Sequence, residues 1–278
     1  TFIIVLLFSV SFNFFLPRMM PGNPVNAMVS RLSSLGHMYG QEELVKYYMK
    51  VFALDGSMWD QFVAYLRQLM VGNLGVSYNA FPTTVTTLIL IALPNTLGLM
   101  LTSTILSWVL GTIIGGIVGW RGGKSKISPA LTFLSVFFAN FPYFLLALVF
   151  VFLFAFTIPL FPTGGAYSPL SQPSLSLSFI IDVIYHALGP IIVVTLSQIA
   201  MWFLHMRALV VDIKNEDFMM YGEVRGLSSR RILMSYAIRN CLLPQVTELG
   251  MMLGWVFSGS LLTEIVFRYP GLGQLLFT

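Results

Sequence analysis

NEDFMMYGEVRGLSSRRILMSYAIRNCLLPQ, residues 215–245, is an island of charge between two long apolar segments. Asn215 is placed to cap a helix whose first turn carries Glu216 and Asp217, where carboxylates meet the positive end of the dipole. Gly226 ends that helix. Ser228 starts a second one, with Arg230, Arg231 and Arg239 on a solvent or headgroup side and Leu233, Tyr236 and Ala237 on an apolar side, until Pro244 opens the next element. Phe218, Tyr221 and Val224 make the first helix apolar along one side, yet at about ten residues it is too short to be stable alone in water. It therefore wants a partner groove. The plainer alternative is an amphipathic helix resting on the lipid headgroups.

The surroundings of the island are those of a membrane protein. Of 278 residues, 56% are hydrophobic and 9% charged, with mean hydropathy +0.82, against about 25% charged residues in soluble domains. An all-α polytopic membrane protein follows. The single cysteine, Cys241, excludes an internal disulfide and a multi-cysteine metal site, and His37, His186 and His205 lie far apart in sequence, so no metal site is expected. A net charge of +4 suggests nucleic acid at first sight, but the basic residues concentrate in short loops between apolar spans, where topology explains them. Nucleic acid is not an expected partner; the lipid bilayer is.

Residues 1–16 read as a first transmembrane span, truncated because it is about 24 Å long as helix against a hydrocarbon thickness of about 30 Å. An uncleaved signal peptide is the competing reading, and no A-x-A-like site follows to favour it. Residues 17–86 form a polar, mostly helical insertion, with helical spacing over Gln41–Leu54 and Met58–Met70 and breaks at Gly72 and Gly75. Such a length lies beyond the range in which loop charge reports orientation, so its basic residues are compatible with an external location. Residues 87–278 form the core.

From Leu88 to Trp120 no residue is charged, which makes a second span with a lead-in bent near Pro94. Ser103, Ser107, Gly111, Gly115 and Gly119 recur every four residues along it, a stripe that lets another helix backbone approach. The loop Arg121–Lys126 contains Gly-Lys-Ser, but a phosphate-binding loop needs a glycine where Val118 stands; three basic residues without an acid instead mark the loop as cytoplasmic. A third span covers Pro129–Thr157 with a kink at Asn140-Phe141-Pro142, where the proline frees a carbonyl that the asparagine can satisfy. Ile158–Ser178 reads as an external loop and Ile180–Met206 as a fourth span, with Asp182 and His186 at its outer end and Gln198 at mid-depth. The cytoplasmic loop 207–243 together with Arg121, Lys124 and Lys126 holds nine of the fifteen Lys and Arg residues. A fifth span, Pro244–Leu262, carries a second small stripe, Gly250, Gly254 and Ser258, and one ionisable group, Glu248. Thr263–Gly273 then returns to the outside, and a sixth span is expected beyond Thr278.

The island resembles the EAA loop of binding-protein-dependent ABC importer permeases, specifically the dipeptide, oligopeptide and nickel permease family, through its E-D-aromatic, R-G-L-S, R-N and L-L-P runs. Four further stretches match in order: Phe14–Arg18 through Pro21–Pro24, Gly72–Ser77, Leu93-Pro94-Asn95-Thr96-Leu97, and Glu264–Phe267 with Tyr269–Gly273. Glu223 departs from the pattern, placing a negative charge where the family has small and basic residues.

The resemblance implies a type I ABC importer transmembrane domain, five spans visible of an expected six, in the prokaryotic cytoplasmic membrane. Its implied partners are a second homologous permease subunit, two ATP-binding subunits and an extracytoplasmic solute-binding protein. The chain itself would be non-catalytic, with no cofactor of its own and with ATP and Mg on the partner subunits. By the same analogy Asn215–Gly226 is the coupling helix, with Phe218, Tyr221 and Gly222 as packing contacts to the ATPase, Glu216, Asp217 and Arg225 as polar ones, and Gly226 as the elbow. Asn140, Pro142, Gln198, Glu248, Gly254 and Ser258 are candidates for lining the substrate path. Peptide is the expected substrate, with oligosaccharide and then nickel as alternatives. An ion-coupled secondary transporter would require paired intramembrane charges or inverted repeats of broken helices, and a membrane enzyme a clustered catalytic set; neither pattern is seen.

Overall fold

The computed structural model describes residues 1–19, 41–52, 54, 56–122, 127–255 and 261–277. Among these the regular structure is helical, with one isolated antiparallel bridge between Val76 and Thr84. The chain forms two compact units, Thr1–Leu90 and Ile91–Thr278.

The first unit contains α1 (Phe2–Met19), α2 (Gln41–Val51) and α3 (Met58–Met70). Aromatic side chains hold it together: the buried ring of Phe14 lies 5.1 Å from Phe62 and 5.3 Å from Tyr65, while Tyr48 packs among Phe52 and Phe81. Ser57 and Asp60 build a reciprocal capping box at the start of α3, which satisfies two backbone donors that the first turn leaves open. The first apolar helix thus shares a unit with the polar insertion that follows it.

The second unit is organised by two helices of 37 residues, α4 (Val85–Arg121), which enters it at Ile91, and α7 (Leu177–Ile213). At 1.5 Å per residue each is about 55 Å long, against an apolar slab of about 30 Å, so their ends project beyond it. The small stripe is their contact. A Cβ built on Gly111 would lie 2.5 Å from Trp202 Cβ, one on Gly115 2.5 Å from the Phe203 carbonyl, and one on Gly119 2.9 Å from the Arg207 carbonyl. Ser103 and Ser107 on the same stripe are fully buried.

Between them run α5 (Ile127–Asn140) and α6 (Tyr143–Val151, extended by a π turn to Thr157). The kink expected in the third span is a break between two helices that meet at 98°. Pro142 cannot donate and biases Phe141 away from helical backbone, so the first helix stops at Asn140 and a new one starts. Asn140 Nδ2 donates to the Val136 carbonyl, and the Phe138 carbonyl freed by the proline takes the Phe141 N–H. The loop before α7 is tied to the start of that helix, where Asp182 accepts from Ser168 N–H, Ser168 Oγ and Ser171 Oγ, each at 2.8 Å.

The remaining helices are α8 (Asp217–Val224), α9 (Ser229–Ile232), α10 (Arg239–Trp255), α11 (Leu261–Val266) and α12 (Leu272–Phe277). Pro244 does not open a new element: it sits inside α10, as Pro94 and Pro190 sit inside α4 and α7. By length and composition α1, α4 and α7 can each cross a membrane, and α5 with α6 makes a fourth crossing if the bent pair counts as one. The expected fifth span corresponds to α10 as far as Trp255; Ser258 lies outside the described residues.

Candidate functional site

The charged island folds as three short pieces clamped to the end of α4. Glu216, and not Asn215, is the N-terminal boundary residue of α8, and its side chain makes no capping bond. Gly226 ends the helix as expected, at φ +70°, where L side chains are strained. Its N–H donates to the Glu223 carbonyl and the Leu227 N–H to the Gly222 carbonyl, the paired bonds of a Schellman closure.

The inner face of α8 differs from the one expected. Met219 and Gly222 are buried, Phe218 half-buried, and they pack on Ile232 and Ala237 with Leu227 and Trp120 around them. Gly222 is thus a contact within the chain, 3.7 Å from Ile232 as measured to an added Cβ, and the expectation that it touches a partner is corrected. Tyr221 and Val224 point the other way, with Met220 beside them, and Glu216, Asp217 and Arg225 are exposed at the rim.

Trp120, which sequence reasoning missed, ties the parts together. Its Nε1 donates to Ser229 Oγ at 2.9 Å, its carbonyl accepts from Lys214 Nζ at 3.0 Å, and the Lys214 ammonium lies 5.1 Å from its ring. The available signal was its position, an aromatic residue with a polar ring atom at the last turn of a long apolar helix. From Ile232 the chain passes through a π turn, Leu233–Ile238, directly into α10. The buried positions along this run are Ile232, Ala237, Cys241 and Gln245. Motion of α8 therefore has a continuous helical route to the apolar core.

Of the expected path residues, Gln198 Oε1 accepts from Ser107 Oγ at 3.1 Å. Glu248 Oε2 lies 2.8 Å from His205 Nδ1, joining α10 to α7. Both groups of that pair are partly exposed. Gly254, like Gly250, has nothing within 4 Å of an added Cβ among the described residues, so these two glycines of the second stripe face open space. Asn140 and Pro142 are exposed at the break between α5 and α6. Among the described residues, no hydrogen bond links Asn140, Gln198 and Glu248 to one another.

Two of the stretches quoted for the resemblance meet in space. Glu264 is fully buried: its Oε1 accepts from Thr96 Oγ1 at 2.9 Å and its Oε2 from the Gly273 N–H at 2.6 Å. Thr96 Oγ1 in turn accepts from the Leu272 N–H at 2.8 Å, and Asn95 Nδ2 donates to the Pro270 carbonyl at 2.8 Å. Glycine is required at 271 and 273, since an added Cβ would strike the Glu264 carboxylate at one and Leu261 Cα at the other.

Comparison with known proteins places this architecture. Residues 109–278 match the binding-protein-dependent transport system inner membrane component family. The chain belongs to this family. It is similar to the oligopeptide transport system permease protein AppB of Bacillus subtilis (strain 168), 30% identical over 264 residues, covering 95% of this chain and 79% of that one. The dipeptide transport system permease protein DppB of Lactococcus lactis subsp. cremoris (strain MG1363) is 27% identical over 279 residues, covering 98% and 81%. The Escherichia coli (strain K12) protein DppB, of the same description, is 26% identical over 280 residues, covering 93% and 79%. As a family member the chain is a multi-pass inner-membrane component of a transport system, with the type I ABC transmembrane fold. The resemblance read from the island and its four companion stretches agrees with this membership.

Proposed function

We propose that the chain is the permease subunit of an ATP-driven peptide importer, and that α8 docks into a groove of an ATPase partner. The outward face of α8 supports this most: Met220, Tyr221 and Val224 are 58%, 61% and 79% exposed on a helix of only eight residues whose inner face is already packed. Adjoining apolar side chains at one helical turn mark an interaction surface. Glu216, Asp217 and Arg225 would make its polar rim. Phe218 and Gly222 would hold the helix to its own chain, and Gly226 would set the elbow.

The assembly would comprise a second permease subunit, two ATP-binding subunits carrying ATP and Mg, and an extracytoplasmic solute-binding protein. Peptide is preferred over oligosaccharide or nickel because the relatives above are named as oligopeptide and dipeptide permeases. Closure of the ATPase pair would push α8, and α9 with the π turn would pass the displacement to α10. The unencumbered Gly250–Gly254 face would meet the second permease subunit, with Gln198 and Glu248 toward the path between them.

The test is reconstitution of the complex in proteoliposomes with the double variant Tyr221→Ala, Val224→Ser. Peptide uptake should fall at least about tenfold, as for loss of an aromatic anchor, while the two permease subunits remain associated. Uptake at the wild-type rate would remove the docking assignment. Failure of any ATPase subunit to co-purify with wild type would remove the importer reading itself.

A further inference from the structure

The unit Thr1–Leu90 contains a cavity of about 190 Å³ whose wall has two chemistries. Arg18, Tyr65, Gln68 and Tyr78 supply the polar side, and Phe52 and Leu74 the apolar one. Arg18 is held firmly. Its guanidinium sits 3.8 Å from the Phe14 ring centroid, Nε donates to Gln61 Oε1 at 3.2 Å, and Nη1 donates to the Phe14 carbonyl at 3.2 Å. Gln61 is itself fixed, because its Nε2 donates to the Leu54 and Gly56 carbonyls at 3.0 and 3.3 Å, which turns Oε1 toward the arginine.

Both of those acceptors are neutral, and among the described residues no carboxylate lies within ion-pairing distance of Arg18. A guanidinium carries five N–H donors in a planar fork matched to carboxylate, and two of them meet an acceptor among the described residues, Gln61 Oε1 and the Phe14 carbonyl. A half-buried cation whose partners among the described residues are neutral favours an anion beside it. Tyr78 adds a donor: burial, partly offset by Arg18, pushes its phenol above the ordinary value, so the O–H keeps its proton. No side chain fills the cavity at Gly75, whose φ of +80° disfavours any replacement. The volume corresponds to roughly six waters at ~30 Å³ each, room for a carboxylate and one small side chain.

We propose that this cavity binds the terminal carboxylate of a peptide, with Arg18 and the Tyr78 hydroxyl gripping the carboxylate and Phe52 and Leu74 covering the side chain next to it. The site uses none of the island's residues and does not depend on the coupling reading. The sample is the purified chain alone in nanodiscs, so its failure leaves that reading standing, and the reverse also holds.

Saturation-transfer NMR with N-acetyl-alanine at millimolar concentration should show saturable binding, and the neutral N-acetyl-alanine amide should show none. Arg18→Gln should weaken binding at least about tenfold, the loss of charge-assisted bonds. Should that variant fail to fold, Leu74→Trp, which fills the cavity from a partly exposed position, should abolish binding with Arg18 intact. Equal binding of acid and amide overturns the proposal, as does wild-type binding by the folded variants or no binding of N-acetyl-alanine at all. Tighter binding of N-acetylglutamate α-amide than of N-acetyl-alanine overturns the terminal assignment in favour of an acidic side chain.

Discussion

Insertion of one alanine after Ser235 should unseat α8, whereas deletion of Ser235 should not. The buried positions Ile232, Ala237, Cys241 and Gln245 are spaced five, four and four apart. The five-residue step falls in the π turn, whose hydrogen bonds reach one residue further than those of an α-helix, so residues five apart stack there. Deleting exposed Ser235 makes the step four, which an α-helix aligns to within about 40°. Ile232 then still faces Met219 and Gly222. Inserting a residue makes the step six, about 600° of rotation, which leaves Ile232 about 120° from alignment and turned to solvent. The loss resembles truncation of a buried isoleucine, about 2–5 kcal/mol, and falls on a cluster with three buried members among the described residues, Met219, Ile232 and Ala237. Limited trypsinolysis at Arg225 and Arg230 should accelerate in the insertion variant, and peptide uptake should fail with the spans still folded. Equal behaviour of insertion and deletion would refute the register reasoning.

Three other outcomes follow from the packing. Gly111→Val should destabilise the α4–α7 pair by about 1–3 kcal/mol or more, since Trp202 Cβ already occupies the position of a first side-chain carbon; thermal unfolding in detergent measures it. Thr96→Val removes the hydroxyl that donates to Glu264 and accepts from Leu272, and leaving those groups buried and unpaired should cost about 1–3 kcal/mol, read as a lower unfolding temperature that Thr96→Ser largely restores. Cys241, 2% exposed, should resist maleimide in the folded protein and react fully after denaturation in SDS; rapid labelling of the native chain would show that α10 is not seated on α7.

Features carried by local periodicity were legible. The four-residue repeat from Ser103 to Gly119 identified a contact surface because a helix places such residues on one side whatever the partner, and Gly226 marked a helix end because few residues tolerate its backbone. The orientation of α8 was not. Its apolar residues lie on more than one side, and which of them face inward depends on Ile232 and Trp120, neither of which is a helical neighbour. The His205–Glu248 pair, 43 residues apart, is likewise a product of how α7 meets α10. Pro142 was legible as a disturbance, while the 98° angle depends on what packs against α5 and α6.

Three of the bonds around Glu264, those made by Asn95 and Thr96, join residues 168 to 176 positions apart. At a synthesis rate of about 5–20 residues per second, Thr96 has to wait roughly 8–34 s before Glu264 has even been made. During that time α4 is inserted with an unsatisfied hydroxyl and a neighbouring asparagine near its start. The last stretch of the chain thus arrives as a closing pin, and a ribosome that stalls before Gly273 leaves a protein whose long helices are present but whose contacts between Thr96 and the Glu264–Gly273 stretch are still open. Quality control in the membrane would have one defined place at which to distinguish the unfinished chain from the finished one.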